Sequence, residues 1–172
     1  VTIGNLTATS LAGGTIASAV NFPAGHITKS PVVGTLASPV TASGNDDTLI
    51  TNTITVDSTD DRILAWANCA FELYGNSGGG GATPTPNGFL KIIDVTNSSA
   101  VKCQQYISHQ GSSNAYAVNL STSLFAYITP SQTGSYQIRL TGLLGGGRVV
   151  FHGNSSNNMT DPTKLILFYI KG

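Results

Sequence analysis

Apolar and polar side chains alternate with a period of two over residues 63–74. Ile63, Ala65, Ala67, Cys69, Phe71 and Leu73 are all apolar, whereas Leu64, Trp66, Asn68, Ala70, Glu72 and Tyr74 are mixed. That pattern predicts a strand with one face in a core. Upstream, Leu49, Ile50, Ile54 and Val56 stand in a threonine-rich stretch, and the branched Cβ of threonine favours strands. Further strands are expected at 89–95, 101–107, 115–128, 135–143, 148–152 and 164–170. The closing run Leu165-Ile166-Leu167-Phe168-Tyr169-Ile170 is apolar on both faces. At an exposed sheet edge such a strand would aggregate, so it must be central in its sheet or covered by a neighbouring subunit.

Between these runs lie breakers. Residues 76–88 hold consecutive glycines, then Pro84 and Pro86, then Asn87-Gly88, which predicts a long surface loop. Residues 108–116 read as a second surface loop, while Thr96-Asn97-Ser98-Ser99, Gly145-Gly146-Gly147 and 154–158 read as turns. About eight to ten short strands, closely spaced turns and no amphipathic helix predict an all-β domain, an antiparallel sandwich, jelly roll or barrel, from residue 26 to 172. Residues 1–25 are rich in Thr, Ala, Gly and Ser, and Leu6, Leu11 and Ile16 match neither helix nor strand period. They are expected to form an extended connector to an upstream stalk, and the lack of an initiator Met agrees with such a continuation.

Composition sharpens this picture. The chain is 40% hydrophobic but only 9% charged, against about 25% charged in ordinary domains. Disorder needs low hydrophobicity and high charge, so this chain folds. Its formal net charge is zero. That excludes the basic footprint of a nucleic-acid binder or a polybasic membrane-surface protein, and favours self-association. No run approaches the roughly 20 apolar residues of a membrane-spanning helix, and the first residues lack a secretion-signal pattern. Cys69 and Cys103 form no CxxC motif. Two buried free thiols are the first expectation, and one disulfide between facing strands is the alternative.

Catalytic chemistry finds no anchor. His26, His109 and His152 are scattered, with no metal-ligand spacing. The segment Asp57-Ser58-Thr59-Asp60-Asp61 offers oxygens to calcium but lacks the EF-hand pattern, and a turn capped by Asp is the simpler reading. Glu72 is the sole glutamate, and there is no GxSxG. No enzyme activity, metal or cofactor is therefore expected. Sugar recognition would need exposed rings with amides and hydroxyls nearby. The candidates are Trp66, Tyr74, Tyr106, Tyr116 and Tyr127, with His109 at a polar turn. Trp66, on the mixed face of its strand, suits an interface or core better than a platform.

Several segments, taken in order, carry a resemblance. They are Pro23-Ala24-Gly25-His26-Ile27, the stretch 54–64, Thr129-Pro130 followed by Ser135-Tyr136-Gln137-Ile138, the strand 146–154, and the closing 163–172. Together they resemble the C-terminal jelly-roll domain of bacteriophage tail-fibre and virion proteins, particularly of marine and cyanobacterial phages. That fold is similar to the tumour necrosis factor and complement-component trimers. The family's closing Glu is here Tyr169, which puts any inter-subunit salt bridge at that position in doubt. The resemblance implies a homotrimer on a virion, joined to other virion proteins through the connector. It also implies attachment to a host-surface glycan or protein, or else a purely structural role as decoration, head fibre or trimerisation cap. Trimer packing would engage Phe125, Tyr136, Phe151 and Phe168, although for any one of them filling the chain's own core is the simpler assignment.

Overall fold

A computed structural model describes residues 27, 29–74, 85–109, 117–154 and 162–172. The described residues form ten strands and no helix: β1 (Val32–Thr35), β2 (Val40–Thr41), β3 (Asp47–Val56), β4 (Arg62–Tyr74), β5 (Asn87–Asp94), β6 (Ala100–Ser108), β7 (Ala117–Ile128), β8 (Gly134–Gly146), β9 (Arg148–Phe151) and β10 (Lys164–Ile170). All pairings are antiparallel, and they make two sheets. In the six-stranded sheet, β10 lies between β1 and the first half of β4. There β9, with β2 on its far edge, continues beside the second half of β4, and β7 lines the opposite edge of β4 throughout. The four-stranded sheet runs β3-β8-β5-β6.

The period-two reading of β4 holds. Ile63, Ala65, Ala67, Cys69, Phe71 and Leu73 all face the core, and the intervening residues are half-buried on the outside, except Ala70, which is buried. They meet Ile54, Val56, Leu90, Ile92, Ile138 and Leu140 of the facing sheet. Each large side chain so buried contributes about 1.5–3 kcal/mol. The doubly apolar last strand is indeed interior to its sheet: β10 is hydrogen-bonded to β1 on one edge and β4 on the other.

Two expected interface residues belong to this core instead. Tyr136 on β8 and Phe151 on β9 are fully buried within the chain. Phe151 packs edge-on against Phe71, with ring centroids 6.3 Å apart, and it fills the space left by Gly142. A Cβ on Gly142 would lie 2.1 Å from Cε2 of Phe151. Gly142→Ala should therefore destabilise the fold by about 1–3 kcal/mol through overpacking, read as a lowered Tm by calorimetry.

Other boundaries moved as well. Asn87 and Gly88 open β5 rather than closing the glycine-rich loop, because they pair with both β6 and β8. The strands β1 and β2 are too short for a periodic pattern to show them. Asn52, inward-facing on β3, replaces an apolar residue because its Nδ2 donates to the carbonyls of Leu165 (2.8 Å) and Val32 (3.4 Å), tying the two sheets together at one edge. The connector 1–25 and residues 75–84 and 110–116 of the two expected loops lie outside the described residues.

Candidate functional site

The two sheets present opposite kinds of outer surface. On the four-stranded sheet Thr51, Thr53 and Thr55 of β3 point outward beside Arg139, Gln137 and Ser135 of β8, a face of hydroxyls, amide and guanidinium. On the six-stranded sheet, registration aligns apolar side chains in rows across four strands. Val33, Ile166, Trp66 and Phe125 form one row, and Phe168, Leu64 and Tyr127 the next. Ile27 bridges to Ile170 to begin a third. Tyr127 is 64% exposed, Phe125 59%, Ile27 58% and Val33 57%.

The centre of this face is already organised. The Trp66 and Phe125 rings are parallel, with centroids 5.9 Å apart. The patch is bounded at one end by Thr35, Lys164, Asn68 and Ser123, and at the other by Arg62, whose Nη1 donates to carbonyls of the 59–61 turn. A flat, ordered aromatic surface with a polar rim is the anatomy of a protein–protein interface.

The expected residues therefore sort differently than anticipated. Phe125 and Phe168, proposed for an interface, lie on this face. Trp66 and Tyr127, considered for sugar binding, lie there too. Tyr74 is about 27 Å from Trp66 along β4, at roughly 3.4 Å per residue. Its hydroxyl donates to Glu72 and its ring lies under Arg148, 4.6 Å from the guanidinium carbon. The bond to Glu72 and burial push its phenol above the ordinary value. His152 lies close by with Nε2 3.7 Å from Glu72, and neither ring nitrogen has a hydrogen-bond partner. Tyr106 and His109 belong to the other sheet, and His109 donates its backbone N–H to the Pro86 carbonyl. Tyr116 lies outside the described residues. The four of these that are described, Trp66, Tyr74, Tyr106 and His109, do not converge.

Alternation put Trp66 on the mixed face of its strand, with interface and core both open, but it could not place Phe125 or Tyr127. Residues 124–128 are apolar on both faces, and only the pairing of β7 with β4 decides the side.

At one end of the sandwich two buried carboxylates meet two buried tyrosines. Asp61, in the turn from β3 to β4, accepts from the Tyr169 hydroxyl, from Ser58 N–H (2.9 Å) and from Gly172 N–H (3.0 Å). Asp94, ending β5, accepts from the Tyr136 hydroxyl (2.8 Å) and from Asn97 N–H (3.1 Å). Two of the three carboxylates considered for calcium are engaged: Asp61 in this way, and Asp57 with Lys29 at 2.8 Å. The 57–61 segment is the expected turn.

The thiols are free, Cys69 buried and Cys103 half-buried in opposite sheets. Burial pushes Cys69 up to about 12. The thiolate is the reactive form, so Ellman's reagent at pH 8 should titrate at most one thiol in the native protein and two in guanidinium.

No family model matches the chain, and neither does any curated protein. The phage-fibre resemblance thus rests on its quoted segments alone. Among solved structures, the infectious bursal disease virus VP2 subviral particle is similar over 83% of this chain and 37% of that one, with 14% identity and a TM-score of 0.35. The structure of the Gx strain of that virus is similar over 83% and 38%, with 12% identity and a TM-score of 0.27. The chain spans well under half the length of both. The likeness is weak, and no role for this chain follows from it.

Proposed function

We propose that this chain is an assembly module of a virion: a jelly-roll subunit that packs with two identical copies through the outer face of its six-stranded sheet, without catalysis. The observation that carries this reading is the contrast between the two outer faces. A chain stable as a monomer has no reason to lay Trp66, Phe125, Tyr127, Leu64, Ile166 and Phe168 side by side in water while giving the β3–β8 half of its other sheet threonines. A second copy is the occupant that fits, because zero net charge leaves no repulsion between copies.

The jelly-roll reading is supported by strand order. With the short β2 and β9 set aside, the first, eighth, third and sixth strands share one sheet. The second, seventh, fourth and fifth share the other. The three-fold state and the phage setting, on a tail fibre or the capsid surface, come from the sequence resemblance. Light scattering after size exclusion tests the assembly. The expected species has three times the 17.7 kDa chain mass, and a monomer at micromolar concentration would overturn the reading.

A further inference from the structure

We infer that the outer face of the four-stranded sheet carries a binding platform for a neutral pyranose sugar, built on Phe89 and Tyr106. This deepens the virion reading by supplying a host-surface ligand, and rests on it only for that biological role. Sugar binding itself does not require the oligomer.

Apart from the Val101–Ile93 pair beside Arg139, the face is polar except for one stripe. Across β6, β5 and β8, register places Tyr106, Phe89 and Leu143 in a single row. Tyr106 is 51% exposed, and its ring lies 5.1 Å from that of Phe89 at 54°. On one side the neighbouring row is Ser108 and Asn87, and on the other it is Gln104, Lys91 and Thr141. Residues two apart on a strand are separated by about 7 Å. An apolar ring is thus flanked, one sugar-width away on each side, by amides, the Ser108 hydroxyl and an ammonium.

That is the chemistry of a pyranose. One face of the ring presents C–H groups that stack on an aromatic surface, while equatorial hydroxyls project sideways to donors and acceptors. Charge narrows the choice. The Lys91 ammonium is held by Asp46 at 2.8 Å and 3.0 Å, so the border offers polarity without net charge, and an acidic sugar would meet the Asp46 carboxylate. Beneath this border the Thr141 hydroxyl is buried with no partner. Width argues against a protein occupant: one apolar row is far smaller than the roughly 800 Å² per partner of a stable protein interface.

Single sites of this kind bind weakly, and several copies on one particle supply avidity. The test is saturation-transfer NMR and titration of the full chain with maltohexaose, cellohexaose, mannohexaose and a β-galactan hexamer. At least one should bind with a Kd on the order of 0.1–10 mM. Tyr106→Ala, at an exposed position that leaves the core intact, should weaken it at least tenfold. Gln104→Ala should weaken it several-fold. Tyr127→Asp, on the other sheet, should leave affinity per site unchanged whatever the oligomeric state. No saturation transfer from any of the four sugars would overturn the proposal, as would binding that survives both Tyr106→Ala and Gln104→Ala.

Discussion

Tyr127→Asp is expected to leave the subunit folded and abolish its self-association. The side chain is mostly exposed in the isolated chain, on the β7 side of the apolar face beside Leu64 and near the Trp66–Phe125 stack. Its replacement therefore costs the subunit at most about 1 kcal/mol of strand propensity. In the assembly the same position is dry. Burying an unpaired carboxylate costs several kcal/mol. Even ~2 kcal/mol per copy, felt three times in a trimer, weakens assembly by about four orders of magnitude. Sedimentation equilibrium should then return the chain mass at concentrations where the parent is oligomeric. Thr53→Asp, on the threonine face, should change nothing. If Tyr127→Asp stays oligomeric, the proposed interface is wrong.

Why this face was only half legible follows from the side chains involved. For β4, one face is purely apolar and the other mixed, so alternation alone placed the core residues inside and put Trp66 on the mixed face, with interface and core both open. For β7 and β10, both faces are apolar at 124–128 and 165–170. Periodicity then carries no sign, and Phe125 and Tyr127 acquire a side only through the register that fixes Phe125 opposite Trp66. Phe151 and Tyr136 went wrong for a related reason. In the run Val149-Val150-Phe151 hydrophobicity is uniform. Only the Gly142 gap, a fact of packing across the sandwich, draws Phe151 inward. Tyr136 is held inside by Asp94, a partner 42 residues away in sequence and invisible to local pattern. The sugar platform was missed except for Tyr106, because Phe89 and Leu143 reach it from two other strands. Long-range pairing, rather than composition, assembles both surfaces.

The same remoteness governs the second large effect, at Asp61. This carboxylate is buried, and it gathers the Tyr169 hydroxyl, the Ser58 and Gly172 backbone N–H groups and, at 3.6 Å, the Lys171 ammonium. It fastens the end of the chain to the β3–β4 turn. Gly172 sits so close that a Cβ there would lie 1.9 Å from the Asp60 carbonyl oxygen. Asp61→Ala strips the acceptor from several donors at once and should cost about 3–5 kcal/mol, measured by urea denaturation at pH 7. Tyr169→Phe removes the charge-assisted bond to Asp61 and the acceptor of the Asp57 backbone N–H, and should cost less, about 1.5–3 kcal/mol. Burial opposes ionisation of Asp61. The bonds from Tyr169, Gly172 and Ser58 and the Lys171 charge outweigh it, holding the carboxyl below its ordinary 3.8. Because the folded value is depressed, the stabilisation is fully present above pH 3.8 and is lost as pH falls through the folded value. The parent should therefore lose stability with acidification below about pH 4, and Asp61→Asn should show a flatter profile there. Equal acid sensitivity in the two proteins would overturn the assignment of the loss to Asp61.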